Sequence, residues 1–220
     1  MAGCCDPRGC DTFFGPRFAR HVAARYRKRG LDRASQRMVD WLVSQGIEGA
    51  TVLEIGGGVG EIQLELLRRG AARTTNLELS PGYEGEAKAL IAEAGMTGRV
   101  DRRLGDVAAD GSVADPADFV VMHRVVCCYP DYERLLGAAA DHALRGVVFT
   151  HPPRNVLSRA LLAMENLGLR LRRLEYRTFA HDPDEMVRVL GDHGVAARHE
   201  HGGGLWKMIT ATRAPVPAVS

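Results

Sequence analysis

The segment Val52-Leu53-Glu54-Ile55-Gly56-Gly57-Gly58-Val59-Gly60-Glu61 constrains this chain more than any other. A short apolar run, Thr51 to Ile55, ends in glycines, and a helical pattern follows at once, from about Gly60 to Arg69. Strand, tight turn and helix in that order open a βαβ unit, the connection that parallel strands require. Glycines at the turn let the backbone reverse sharply. They also let a ligand approach main-chain N–H groups with no Cβ in the way.

The same rhythm continues. Thr74–Leu79 reads as a second strand. Ser80-Pro81 then supplies an N-cap and a proline at the first helical position, for a helix ending near Gly95. Arg99–Leu104 reads as a third strand and Asp118–His123 as a fourth; Pro130-Asp131 opens a helix to about Ala143, and Gly146–Thr150 reads as a fifth strand. Two helices are expected before the glycine turn. One runs from Arg17 to Arg29, with Phe18, Val22 and Tyr26 on one face. The other is capped by Asp32 and stopped by Gly46. After the fifth strand come an expected helix over Val156–Leu171, an Arg-rich stretch, and a helix opened by the capping box Asp182-Pro183-Asp184-Glu185. A terminal hairpin follows, Val195–His201 and Leu205–Ala211 around Gly202-Gly203-Gly204. Alternating strands and helices define an α/β protein with a mostly parallel sheet.

A glycine loop alone does not name a ligand, since dinucleotide-binding folds use the same device. Glu54, two residues before the first glycine, is more selective. A pyrophosphate is repelled there and a cationic amino-acid head group is attracted. The order Glu-x-Gly-Gly-Gly-x-Gly resembles motif I of class I S-adenosylmethionine-dependent methyltransferases, and the resemblance spans roughly residues 50–212. It implies a Rossmann-like class I methyltransferase fold: a mostly parallel seven-stranded sheet, an antiparallel C-terminal hairpin strand, and helices on both faces. It implies S-adenosyl-L-methionine as cofactor, held by Glu54, Gly56, Gly57, Gly58 and Gly60. Glu78 and Leu79 then fall where the family places an acid on the ribose hydroxyls, a task suited to a carboxylate that accepts two hydrogen bonds. Asp106 and Val107 fall at the adenine position. His123 and Arg124 fall at the methionine end, where the substrate pocket begins.

Transfer from a sulfonium requires an acceptor aligned with the methyl group and shielded from water. A carboxylate acceptor needs no strong base, whereas a phenol, thiol or amine gains from one. The loops after the fourth and fifth strands offer His123, Tyr129 and His151 as candidate acid–base or orienting groups, histidine having a pKa suited to neutral pH. The stretch from about Val120 to Leu157, with Tyr129-Pro130 and His151-Pro152-Pro153-Arg154, is similar to magnesium-protoporphyrin O-methyltransferases. Those enzymes methylate a propionate on a large anionic ring; the cysteine-bearing N-terminus departs from them. Charge points the same way. The chain has 29 basic and 27 acidic residues, a net charge of +2. Yet residues 1–37 hold an excess of six positive charges and residues 154–177 an excess of four. In the methyltransferase family these segments often cover the substrate pocket. Tyr26, Arg25, Arg29, Cys128, Tyr129 and Arg173 are therefore candidate substrate-binding residues, the arginines matching carboxylate geometry. The function expected is methyl transfer to a small, anionic acceptor through a carboxylate, hydroxyl or amine.

The five cysteines, Cys4, Cys5, Cys10, Cys127 and Cys128, match no zinc-site spacing, and no metal is expected. Thiolates suit soft ions. The alternative is therefore a cysteine-dependent methyltransferase or binding module acting on a thiol, metal or metalloid such as arsenite. The cysteines lack the arrangement of the arsenite methyltransferases. The near-balanced charge argues against a nucleic-acid partner. No apolar run approaches the ~18 residues of a membrane span, and the N-terminus has no apolar stretch behind its charge. A cytoplasmic monomer or homodimer with no membrane partner is expected. The expected organisation is an N-terminal helical cap over 1–46 and a methyltransferase domain over 47–214. A basic helical insert at 154–178 covers the substrate pocket, and a disordered tail occupies 215–220.

Overall fold

The computed structural model describes residues 13–200, 202 and 204–214. Two helices, α1 (Pro16–Arg29) and α2 (Arg33–Ser44), precede the sheet. The chain then runs β1 (Thr51–Ile55), α3 (Glu61–Arg68), β2 (Arg73–Glu78), α4 (Glu84–Glu93), β3 (Val100–Leu104) and β4 (Ala117–Met122). It continues as α5 (Tyr132–Asp141), β5 (Ala143–His151), α6 (Val156–Leu171), α7 (Pro183–Asp192), β6 (Ala196–Glu200) and β7 (Lys207–Thr212). The strands form one seven-stranded sheet in the order β3-β2-β1-β4-β5-β7-β6. β1 to β5 pair in parallel, and β7 runs antiparallel to both β5 and β6. This is the mostly parallel sheet with an antiparallel terminal hairpin that the sequence implies.

The strand order creates the site. The chain builds outward from β1 to β3 and then crosses to β4 on the other side of β1. The connections leaving β1 and β4 diverge, and open α/β sheets bind ligands in that crevice at the carboxyl ends of the strands.

Alternation along the strands divides the core in two. Phe119 and Val121 of β4 face one side, and Val120 and Met122 face the other. The first side packs against α1 to α4 through Ala19, Met38, Leu42, Leu64 and Leu90. The second packs against α5 and α7 through Leu135, Leu136, Met186 and Leu190. Helices α1 and α2 thus bury their side chains in the same core as the sheet.

Local chemistry sets the boundaries. The Asp32 carboxylate caps α2 by accepting the N–H groups of Ala34 and Ser35. Ser80 accepts the Gly82 N–H, but it opens a single 3-10 turn, Pro81–Tyr83, before α4 begins. Asp182 caps α7 through the Asp184 N–H, while Glu185 turns to Arg188 instead of closing the capping box. β5 starts at Ala143 rather than Gly146, because Ala143 already pairs with Ala117. Arg145, which reads as a loop residue, lays its guanidinium 4.5 Å from the Phe119 ring centroid and donates to the Gln45 carbonyl. Cys4, Cys5, Cys10 and the tail 215–220 lie outside the described residues.

Phe119 is 1% exposed, meets Trp41 edge-to-face and carries the Arg145 guanidinium. Phe119→Ala is expected to cost about 3–5 kcal/mol, measured by urea unfolding. Leu144→Ala, at a side chain 57% exposed, is expected to change stability by less than about 0.5 kcal/mol.

Candidate active site

A cavity of about 390 Å³ opens at the carboxyl ends of β1, β2 and β4. Its floor holds the glycine loop with Glu54, Glu78, Asp106 and Val107. Its outer wall is one face of α1, with Phe18, His21, Val22 and Arg25.

Glu54 is 2% exposed, and its Oε2 accepts from Asn76 Nδ2 at 3.2 Å. Burial first, and then the charge of Glu61, push its pKa up to about 8. The loop geometry makes room for this pair. A Cβ on Gly57 would stand 2.1 Å from Asn76 Nδ2 and 2.6 Å from Glu54 Cδ. Gly56 has φ +64°, a conformation L side chains rarely adopt, and a Cβ there would press on Val125 at 2.6 Å.

Glu78 ties the loop to the end of β2. Its Oε2 accepts the Gly58 N–H at 2.8 Å, and its Oε1 accepts the N–H groups of Leu79 at 2.9 Å and Ser80 at 3.1 Å. Burial raises its pKa despite these three donors. A carboxylate has roughly four acceptor sites, so the backbone takes most of them. Asp106 accepts the Ala108 N–H at 3.0 Å through Oδ1 and the Tyr129 hydroxyl at 2.8 Å through Oδ2. The Tyr129 hydroxyl is therefore committed to Asp106 on the cavity floor.

The other end of the cavity carries a charge network. Asp32 Oδ2 lies 2.5 Å from Arg124 Nη2, 3.8 Å from Arg25 Nη1 and 3.8 Å from His123 Nε2. Burial alone would raise the Asp32 pKa. The nearby His123 ring, the Ser35 N–H and the Arg124 charge outweigh it and hold the carboxyl well below the usual range. Arg25 also reaches Glu61 at 3.4 Å. Arg124 sits at φ 60° and stacks its guanidinium 5.0 Å from the Trp206 ring. Thr150 Oγ1 accepts the Arg124 N–H and stands 3.0 Å from His123 Nδ1. We assign its remaining hydrogen to that nitrogen, which leaves the second ring N–H toward Asp32. Burial lowers the His123 pKa, so the ring is neutral near pH 7.

The cavity brings together Glu54, Gly56, Gly57, Gly58, Glu78, Leu79, Asp106, Val107, His123, Arg124, Arg25, Cys128 and Tyr129 from among the sequence candidates. It does not bring in Gly60, Tyr26, Arg29, Arg173 or His151. Gly60 is the N-cap of α3, behind the loop. Tyr26 turns to α3, donating to Glu65 at 2.8 Å and accepting from Arg68 at 2.6 Å. Arg29 and Arg173 are exposed, one at the end of α1 and the other just after α6. His151 is buried at the end of β5, with Nδ1 2.9 Å from the Pro152 carbonyl. α6 itself does not line the cavity. The strap behind it touches the wall: Tyr176 places its hydroxyl 2.8 Å from Cys128 Sγ, and the Phe179 N–H donates to the Cys127 carbonyl.

Sequence reasoning missed Phe14, Phe18, His21 and Val22 as lining residues. The helical spacing of Phe18 and Val22 was visible, but it does not say which face meets a cavity, and Phe14 precedes α1. Cys127 and Cys128 hold their sulfurs 3.6 Å apart. Among the described residues, no group of three His, Cys, Asp or Glu side chains could hold a metal ion.

Fold and site together define a class I S-adenosylmethionine-dependent methyltransferase. The family model described as "Methyltransferase domain" matches residues 19–197, and the chain belongs to this family. Magnesium protoporphyrin IX methyltransferase from Synechocystis PCC 6803, solved with bound SAH, is similar in structure. It is 20% identical with a TM-score of 0.67, covering 83% of each chain. An O-methyltransferase family protein from Burkholderia thailandensis is 21% identical with a TM-score of 0.66, covering 83% of this chain and 57% of that one. Human N-acetylserotonin methyltransferase in complex with SAM is 17% identical with a TM-score of 0.64, covering 91% of this chain and 56% of that one. No curated protein sequence matches significantly. The donor set fits the cofactor: a buried carboxylate with a raised pKa lines the cavity, a group that a cationic amino group would ionise, beneath a loop that a Cβ would fill.

Glu54 generates a pH-dependent prediction. Its folded pKa of about 8 exceeds its ordinary value of 4.5. Ionising it therefore costs the cofactor-free fold stability that grows as pH rises through that window, and nothing below it. Glu54→Gln is expected to raise stability near pH 9 by about 5 kcal/mol, roughly 10–20 °C in Tm. Near pH 5 the two proteins are expected to melt together in calorimetry.

Proposed function

We propose that this methyltransferase acts on an oxygen of a small acceptor with an apolar or planar body and a polar, anionic end. The body lies against Phe14, Phe18 and Tyr83; the polar end reaches Arg25 and Arg124. The observation that carries this reading is continuity: the residues assigned to the cofactor and this aromatic and arginine wall line one cavity. S-adenosylmethionine, when bound, supplies an electrophilic methyl group on a sulfonium. Glu54 and the loop backbone then hold its amino-acid end, Glu78 the ribose side, and Asp106 with Tyr129 the adenine side.

The chain's own contribution to transfer is alignment and exclusion of water. α1 and the aromatic cluster of Phe13, Phe14, Phe18 and Tyr176 supply the cover, with ring centroids of Phe13 and Tyr176 4.6 Å apart. His123 is fixed through Nδ1 by Thr150, its Nε2 lying 3.8 Å from Asp32 without a hydrogen bond, and serves as a positioning group. His21 lines the same wall with no hydrogen-bond partner among the described residues. For a hydroxyl acceptor, His21 takes the proton released as the carbon–oxygen bond forms. A carboxylate acceptor needs no such step.

The test is a panel of phenols and aromatic or polycyclic carboxylates, followed by mass gain of one methyl group. With the best acceptor, Phe18→Ala is expected to raise KM about tenfold while S-adenosylmethionine Kd stays within about twofold. Arg173→Gln is expected to change neither. His21→Asn is expected to lower kcat about a hundredfold for a phenol, with KM nearly constant, and to leave carboxylate methylation intact. Equal loss of cofactor and acceptor affinity in Phe18→Ala would remove the division of the cavity on which the reading rests.

A further inference from the structure

Helix α6 presents an apolar face to solvent. Val156, Leu157, Leu161, Met164, Leu167 and Leu171 are 51–84% exposed, while Ser158 and Leu169 on the opposite side are buried. The helix is docked, not loose. Asn155 caps it through the Ser158 N–H at 2.8 Å. Asn166 accepts the Thr178 N–H at 2.9 Å and donates to the Thr178 carbonyl at 2.8 Å. The side with Ser158, Leu162, Asn166 and Leu169 is thus the one fastened to the protein, and the six exposed apolar side chains face outward.

The charges are arranged around that face. At about 100° per residue, the six apolar side chains occupy one arc. Arg159 and Arg170 flank one edge, and Arg172 and Glu165 flank the other. With Arg173 these arginines make no ion pair among the described residues. Residues 154–177 carry an excess of four positive charges. A 16-residue helix is about 24 Å long, short of the ~30 Å hydrocarbon core of a bilayer, so this helix can lie on a bilayer but not cross it. A second copy of the chain fits less well. Antiparallel pairing about Met164 sets Arg159 of one copy beside Arg170 of the other, a like-charge contact.

We propose that α6 is a membrane-surface helix that lays its apolar face into the headgroup–acyl boundary of an anionic bilayer. Arg159, Arg170 and Arg172 reach the lipid phosphates at its edges. The segment after α6, residues 172–182, is held by Asn166 at Thr178 and meets Cys128 through Tyr176, so the docked face lies next to the cavity wall. The absence of a spanning segment does not bear on this contact.

Co-sedimentation of the full chain with vesicles tests it. Binding is expected to vesicles of phosphatidylcholine and phosphatidylglycerol in equal parts, and to fall with added salt. Leu161→Glu/Met164→Glu and Arg159→Glu/Arg170→Glu are each expected to lower the partition coefficient about tenfold, with thermal unfolding unchanged as proof of fold. No binding to anionic vesicles overturns the proposal, as does equal binding to pure phosphatidylcholine. A concentration-dependent dimer in light scattering that Leu161→Glu/Met164→Glu abolishes also overturns it, assigning the face to a second copy.

Discussion

The site depends on burying the carboxylates of Glu54 and Glu78 beneath a backbone turn. Neither is cheap to bury as an anion. Glu78 is compensated by three main-chain N–H groups, one of them from the glycine loop itself. For Glu54, burial and the Glu61 charge outweigh the Arg102 charge, the Asn76 amide and the Gln63 N–H. The two acids therefore do different work. Glu78 fixes the loop against the end of β2, and Glu54 is left as a group whose ionisation a bound cation would complete. Gly57 makes room for Glu54, because any side chain there would collide with the Glu54–Asn76 pair.

Two arginines of the basic N-terminal segment act as a fastening device. Arg27 pairs with Glu86 and Glu93, and Arg25 with Asp32 and Glu61. These bonds hold α1 to an acidic body, and most are at partly exposed positions where each is worth little alone. Their joint consequence is positional: the α1 face with Phe18, His21 and Val22 becomes a cavity wall. Asp32 links this wall to the loop after β4 by capping α2 while meeting Arg124 and His123. In the second basic segment only Arg154 makes an ion pair among the described residues, with Asp182.

Much of this was legible in the sequence where a local rule decides. The alternation of strands and helices, the glycine turn and the acid before it follow from period and sterics, and the strand ends placed Glu78, Asp106 and His123 at the cavity. What was not legible depends on which face of an element meets which neighbour. Tyr26 and Phe18 share an amphipathic helix, yet Tyr26 turns to Glu65 and Arg68 while Phe18 meets the cavity. Arg173 and His151 sit near the right strands in sequence but point elsewhere. Asp32 read as a cap alone, because its second partners lie 92 residues away at Arg124 and nearby at His123. Arg145 broke the pattern of β5 because its long side chain covers Phe119 as an apolar one would.

The central claim is that Glu54 is held protonated until a cation arrives. Titration calorimetry with S-adenosylmethionine near pH 7, in two buffers of different ionisation enthalpy, reads this directly. The account predicts release of about one proton on binding, lost in Glu54→Gln. Binding by the natural chain with no proton exchange would contradict it.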